Sequence, residues 1–293
     1  MKTVRLPYVE QGDPDGTPVL FLHGITDSQR AWEPMLPLLP ASIRAIAVTM
    51  RGHGDAERPE AGYRAEDYAA DAIELLDELG LESAIVSGHS LGTYVAAQIA
   101  IEQPQRVAAL VLAGAPGTPA DNAVLAEVAV DVAELDDPID PGFVREFQAS
   151  TTARPLAPGL LDTFVEESLK PPAWTWRAAF ADMMRTDLSE RLVEIAAPTL
   201  LIHGEQDAIA SRCEQEWLLA RLPNARLVSL DRTGHAPHWE RPERYATELA
   251  SFAAAAYASR GASAAPREAP ALAATTSMIA TISRAARPSP SST

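Results

Sequence analysis

The chain has 293 residues, 47% of them hydrophobic, and its 40 acidic against 24 basic residues give a formal net charge of −16. That length and apolar fraction suit one α/β domain with an insertion, and the negative charge repels nucleic-acid phosphates and anionic lipid headgroups, so neither nucleic acid nor membrane is an expected partner. Cys213 is the lone cysteine, no run of about 18 apolar residues offers a membrane span, and the acidic, turn-rich start "MKTVRLPYVEQGDPDG" leaves no room for a signal peptide, so a cytoplasmic protein without disulfides is expected.

Short runs of aliphatic and β-branched residues begin at "PVLFLHG" (18–24) and recur at 43–50, 83–88, 106–114, 198–204 and 225–230. Continuous rather than alternating runs mark strands buried on both faces. Helical periodicity fills the gaps. Residues 66–79 place Tyr68, Ala72, Leu76 and Leu79 on one face before Gly80, a helix follows the third strand over 91–102, and the segment from Pro242 aligns Tyr245, Leu249 and Phe252. Strands alternating with helices predict an α/β fold with a mostly parallel sheet flanked by helices.

The alternation breaks over 117–191, where helical patterns at about 121–135, 142–152, 159–170 and 173–185 follow one another, separated by "DDPIDPG", "RPLAPG" and "KPPAW". This segment is expected to be a helical cap inserted into a core formed by 1–116 and 192–260. From 261 to 293 the composition turns to Ala, Ser, Pro and Thr, and a disordered tail is expected.

At residues 88–92 the sequence reads Gly88-His89-Ser90-Leu91-Gly92, between the strand 83–87 and the helix 91–102. A serine hydroxyl is a poor nucleophile until a base removes its proton and the backbone exposes its oxygen. A strained strand-to-helix elbow does the second, and it needs neighbours without a Cβ two positions away on each side. The base and its orienting acid should then follow at strand ends. "GEQD" places Asp207 after the strand near 199–203, and "TGHAPHWERPE" places His235 after 226–230, in the chain order Ser, Asp, His expected with this elbow. Asp121 and His238 are the rival acid and base, and a histidine pair three residues apart, with no third ligand at a recognisable spacing, predicts no metal. His89 reads as a structural neighbour of the serine, and no cofactor is expected.

With these residues in hand, the chain resembles the α/β-hydrolase-fold superfamily from near its start to about residue 258: "LFLHGIT" is similar to the oxyanion strand and loop, "MRGHGDAERP" to the turn after the next strand, "GHSLG" to the elbow, "GEQD" to the acid loop and "TGHAPHWERPE" to the histidine loop. The resemblance implies Ser90 as nucleophile, His235 as general base and then acid, Asp207 as the group that holds the imidazole tautomer, and the backbone N–H groups of Ile25 and Leu91 as the oxyanion hole. Two departures stand out. Only "TVRLPYVEQ" precedes "DPDGTPVLFLHG", one strand short of the family sheet, and Thr93 replaces a second glycine that many relatives carry.

Within the expected cap, "PPAWTWRAAFADMMR" concentrates Trp174, Trp176, Phe180 and Met184, apolar surface suited either to lining a pocket or to cap core. A neutral, fairly hydrophobic small-molecule ester or lactone is the expected substrate. The fold also serves C–C hydrolases, perhydrolases, lyases and natural-product tailoring enzymes, and a ligand-binding protein with little turnover is the reading from another class. Relatives that attack with a carboxylate, such as haloalkane dehalogenases and epoxide hydrolases, are set aside because position 90 is serine.

Overall fold

The computed structural model describes residues 3–264. The apolar runs form β2 (Thr17–Leu22), β3 (Ile43–Val48), β4 (Ala84–His89), β5 (Val107–Ala113), β6 (Thr199–Gly204) and β7 (Ala225–Leu230), preceded by a short β1 (Tyr8–Gln11). They make one seven-stranded sheet in the order β1-β3-β2-β4-β5-β6-β7. β1 pairs with β3 antiparallel and the other pairings are parallel. β1 is the one strand that the apolar runs leave unmarked: its four residues are all exposed, and backbone pairing of Tyr8 with Val48 and Gln11 with Ala45 holds it to the sheet edge.

The helices are α1 (Ala65–Glu78), α2 (Leu91–Glu102), α3 (Ala123–Ala133), α4 (Pro141–Ser150), α5 (Leu160–Leu169), α6 (Ala173–Met183), α7 (Arg212–Leu219), α8 (Pro237–Glu240) and α9 (Pro242–Ala264). Each central strand buries both faces. Val19 and Phe21 pack on one side with Trp32, Tyr245, Leu249 and Phe252, whereas Leu20 and Leu22 pack on the other among side chains of α1 and α2. Burying one such side chain stabilises the fold by about 1.5–3 kcal/mol. The long run of buried positions in α2, Leu91 to Ile101, fixes the direction in which the preceding turn must leave β4.

Gly80, at φ +66°, ends α1 in the left-handed conformation that glycine adopts without a steric cost. Four helices, α3 to α6, lie between β5 and β6 with no strand among them. Asn122 accepts from the Leu125 amide at 2.9 Å to start α3, and Asp140 accepts from the Gly142 amide at 2.9 Å to start α4. α9 continues to Ala264, beyond the expected tail boundary at 260, and the remainder of the expected tail lies outside the described residues. Among the described residues no helix is long and apolar enough to cross a membrane.

Candidate active site

β4 ends at His89, and Ser90 turns the chain into α2 with φ +48° and ψ −114°, a strained conformation for a residue with a Cβ. The flanking glycines are sterically required. A Cβ on Gly88 would lie 2.2 Å from the Gly92 carbonyl oxygen, and one on Gly92 would lie 2.2 Å from the Leu22 carbonyl oxygen. The turn thus presses α2 against both β4 and β2. The Ser90 amide donates to the Ala113 carbonyl at 3.1 Å, which ties the elbow to the end of β5. Leu91 begins α2, so its N–H lies in the first turn, where helices lack internal acceptors and carry partial positive charge. Ile25 follows the β2 end in "HGIT", and Thr26 after it has φ +70°.

Asp207 and His235 meet from the ends of β6 and β7. His235 Nδ1 donates to Asp207 Oδ2 at 2.9 Å, while the Ile209 and Ala210 amides each donate to Oδ1 at 2.8 Å. Burial pushes the Asp207 carboxyl upward, but His235 and these two amides outweigh it and hold the group below its ordinary value. With Nδ1 engaged by a carboxylate, the basic nitrogen of a neutral His235 is Nε2. The rivals stand elsewhere. Asp121 is exposed in an open groove beside Glu214 and Trp217, and His238 is fully buried, with its ring 4.5 Å from those of Trp32 and His89.

Ser90 and His235 line one cavity, together with Ile25, Leu125, Val128, Phe147, Phe180, Ile209 and Trp239. Of the four aromatic and Met residues singled out in α6 and its end, Phe180 is in this lining. Trp176 stands against it, stacked at 6.4 Å between ring centroids, and donates its Nε1 hydrogen to the Ser168 carbonyl at 3.1 Å. Trp174 and Met184 are half-buried and pack on the main apolar core. Helix phase makes the difference: residues 176 and 180 share a face, and the lining is completed by α3 and α4.

Several further polar residues complete the site. Thr151, just after α4, accepts from the His235 amide through its carbonyl at 2.8 Å. Glu240 accepts from Gly234 at 2.6 Å and from Ala153 at 3.0 Å, joining the histidine loop to the inserted helices. Asp27 and Gln148 also line the cavity, with Gln148 Nε2 donating to Asp27 Oδ1 at 3.0 Å. An acid three residues beyond the "HG" of the β2 loop was the available sequence signal for Asp27, and Glu240 lies within "TGHAPHWERPE", six residues from the Gly234 amide it accepts; Thr151 acts across a long sequence separation and left none.

Burial also sets the acid stability of the fold. It pushes His53 down to about 4 and His89 to about 3, and lowers His23, His203 and His238 as well. Unfolded, each titrates near ~6.5, so below that pH the unfolded chain binds more protons and stability is lost as pH falls toward the folded values. Burial acts oppositely on Asp27, raised to about 7, and on Asp71 and Glu240; for these the folded chain holds the extra proton and stability falls as pH rises. Five histidines outweigh three carboxyls. Scanning calorimetry should therefore show Tm falling as pH drops from about 7 to about 5, and falling more steeply in Asp27→Asn, which removes one opposing carboxyl. A flat Tm over that range would contradict this balance.

The fold agrees with comparison to known proteins. The chain belongs to the alpha/beta hydrolase family, whose model matches residues 19–248. It is 34% identical over 244 residues to a pimeloyl-[acyl-carrier protein] methyl ester esterase of Aromatoleum aromaticum, covering 77% of this chain and 93% of the relative. It is 31% identical over 266 residues to a non-heme chloroperoxidase of Streptomyces lividans, covering 84% and 94%. A solved thermophilic esterase from Thermogutta terrifontis superposes with a TM-score of 0.76 at 27% identity, covering 86% of this chain and 94% of that one.

Proposed function

We propose that this chain is a serine hydrolase that cleaves a neutral, hydrophobic carboxylic ester or lactone. Ser90 Oγ attacks the carbonyl carbon while His235 Nε2 takes its proton, and Asp207 stabilises the imidazolium. The backbone N–H groups of Ile25 and Leu91 donate to the oxyanion. Collapse of the tetrahedral intermediate expels the alkoxide, which receives the proton from His235 and leaves an acyl group on Ser90. Water then attacks the acyl carbon with His235 as base, releasing the acid and restoring Ser90.

The observation that carries this reading is a strained serine elbow sharing one cavity with a histidine bonded at 2.9 Å to a buried aspartate. The inserted 117–191 segment acts as a cap, since α3, α4 and α6 supply Leu125, Val128, Phe147 and Phe180 to the wall over the serine. Apolar walls favour a hydrophobic acyl group, and the chain's net charge of −16 disfavours anionic ones. The identity to an esterase supports ester chemistry.

An apolar pocket discriminates by about 1–3 kcal/mol per methylene. A panel of neutral alkyl esters and lactones against short polar and anionic ones should show kcat/KM highest for the hydrophobic neutral compounds, and Phe180→Leu should shift the preferred acyl size by about tenfold in relative kcat/KM. Preference for anionic substrates, or an unchanged ranking in Phe180→Leu, would count against the cap pocket. A second reading is favoured by the likeness to a chloroperoxidase: hydrogen peroxide replaces water in attacking the acyl group on Ser90 and releases a peracid. Adding peroxide to the ester assay and measuring peracid separates the two.

A further inference from the structure

The walls of the catalytic cavity are not equally firm. Ser90 is 7% and His235 4% exposed, so a molecule the size of an alkyl ester reaches them only when part of the wall moves. On the α4 side, Gln148 donates to Asp27 at 3.0 Å and to Ser168 at 2.8 Å, and the Thr151 carbonyl accepts from the His235 amide. Opening there would break several buried hydrogen bonds, one of them on the catalytic histidine loop. The side formed by Ile209 and the first turn of α3 differs. Ile209 lines both the catalytic cavity and the open groove that holds Asp121, Glu214 and Trp217, and on α3 Leu125 lines the cavity while its neighbour Val124 lines the groove. A single layer of side chains therefore separates the two spaces. Asn122, buried at the start of α3, clasps both halves of that layer: its Nδ2 donates to the Ile209 carbonyl at 2.7 Å and to Glu214 Oε1 at 3.0 Å, and its Oδ1 accepts from the Leu125 amide.

We propose that this layer is the entry gate of the site: substrate collects in the groove and passes to Ser90 between Ile209 and α3, with Asn122 as the clasp that sets how far and how often the passage opens. The inference rests on the hydrolase reading, since what passes the gate is a substrate of Ser90. Opening spares the catalytic geometry. The Ile209 amide donates to Asp207 Oδ1 at 2.8 Å, a backbone bond that stays in place while the Ile209 side chain rotates. Ala123, Val124 and Ala126 on the outer face of α3 are exposed, so this turn moves outward into solvent. The groove also selects. Val124 and Trp217 offer it apolar surface, and Asp121 and Glu214 place acidic groups in its lining, so neutral hydrophobic molecules are admitted in preference to anions.

The test measures how fast Ser90 is phosphorylated by two neutral reagents of different bulk, diethyl and dicyclohexyl fluorophosphate, each losing fluoride to the serine oxygen. Asn122→Ser keeps an oxygen to cap α3 but is too short to hold the Ile209 carbonyl. It should raise the ratio of the dicyclohexyl to the diethyl rate about fivefold, the population shift that loss of one hydrogen bond allows. The ratio cancels any change in the reactivity of the triad itself, so a merely structural disturbance leaves it unmoved. Should Asn122→Ser fail to fold, Asn122→Asp retains the size and the cap while removing the donor, and gives the same reading. The second measurement needs no loss of a contact. Cys213 is the lone cysteine, is exposed, and lines the groove rather than the cavity. Addition of its thiol across the double bond of N-pyrenylmaleimide should fill the groove and slow both reagents about tenfold or more, whereas N-methylmaleimide, or N-pyrenylmaleimide on Cys213→Ser protein, should leave the rates near the parent's. An unchanged rate in the pyrenyl adduct overturns the route, and an unchanged ratio in the Asn122 variants overturns the clasp; in both cases the parent's labelling at Ser90 leaves the hydrolase reading standing. If neither reagent modifies Ser90 in any form of the protein, the hydrolase reading falls and the gate falls with it.

Discussion

Ser90→Ala protein is expected to turn over an activated ester about 10⁶-fold more slowly than the parent, the order seen when a triad serine is removed. The remaining rate above water would come from the oxyanion amides and from binding, which the substitution leaves in place. The loss is catalytic rather than structural for reasons visible at the elbow. The Ser90 side chain makes no helix-capping bond, so alanine strands no partner, and the positive φ is imposed by Gly88, Gly92 and the Ala113 carbonyl whatever stands at position 90. Tm should therefore stay within a few degrees of the parent, since a change of ~1 kcal/mol moves a domain of this size by about 2–4 °C. A large loss of Tm would shift the explanation from chemistry to folding.

Asp207→Asn should cost about 10⁴ in kcat. The carboxylate accepts from His235 through Oδ2 and from Ile209 and Ala210 through Oδ1. An asparagine that keeps the two amide bonds turns its NH₂ toward His235, and a donor there forces the imidazole to accept at Nδ1 and to carry its proton on Nε2. The nitrogen needed to deprotonate Ser90 is then occupied. Steady-state kinetics on Asp207→Asn beside Asp121→Asn tests this, since the exposed Asp121 should tolerate the change. A near-normal rate for Asp207→Asn, with loss in Asp121→Asn, would move the acid to the groove.

The elements that bury apolar surface on both sides were legible because continuous runs such as "PVLFL" and "RVAALVLA" have few other ways to fold. The elbow was legible for a related reason: a serine between two glycines at a strand-to-helix junction answers a steric demand, and Cβ positions 2.2 Å from backbone oxygens confirm that demand. β1 was not legible, because an exposed antiparallel edge strand is held by backbone pairing rather than by side chains. The pocket wall was only partly so. Aromatic density pointed to α6, but packing turned Trp174 and Met184 toward the core, and Phe147, Leu125 and Val128 came from helices whose sequences carry no aromatic cluster of that kind. Gln148 and Thr151 act through contacts far along the chain, across 121 positions between Gln148 and Asp27, which no local pattern encodes.

Ser90 as the nucleophile is tested most directly by mass mapping of the protein after reaction with a fluorophosphonate. A single adduct on the peptide containing Ser90, formed in the native fold, abolished by prior heat unfolding and absent in Ser90→Ala, is the result expected. Labelling of a different residue, with ester turnover surviving in Ser90→Ala, would contradict the account.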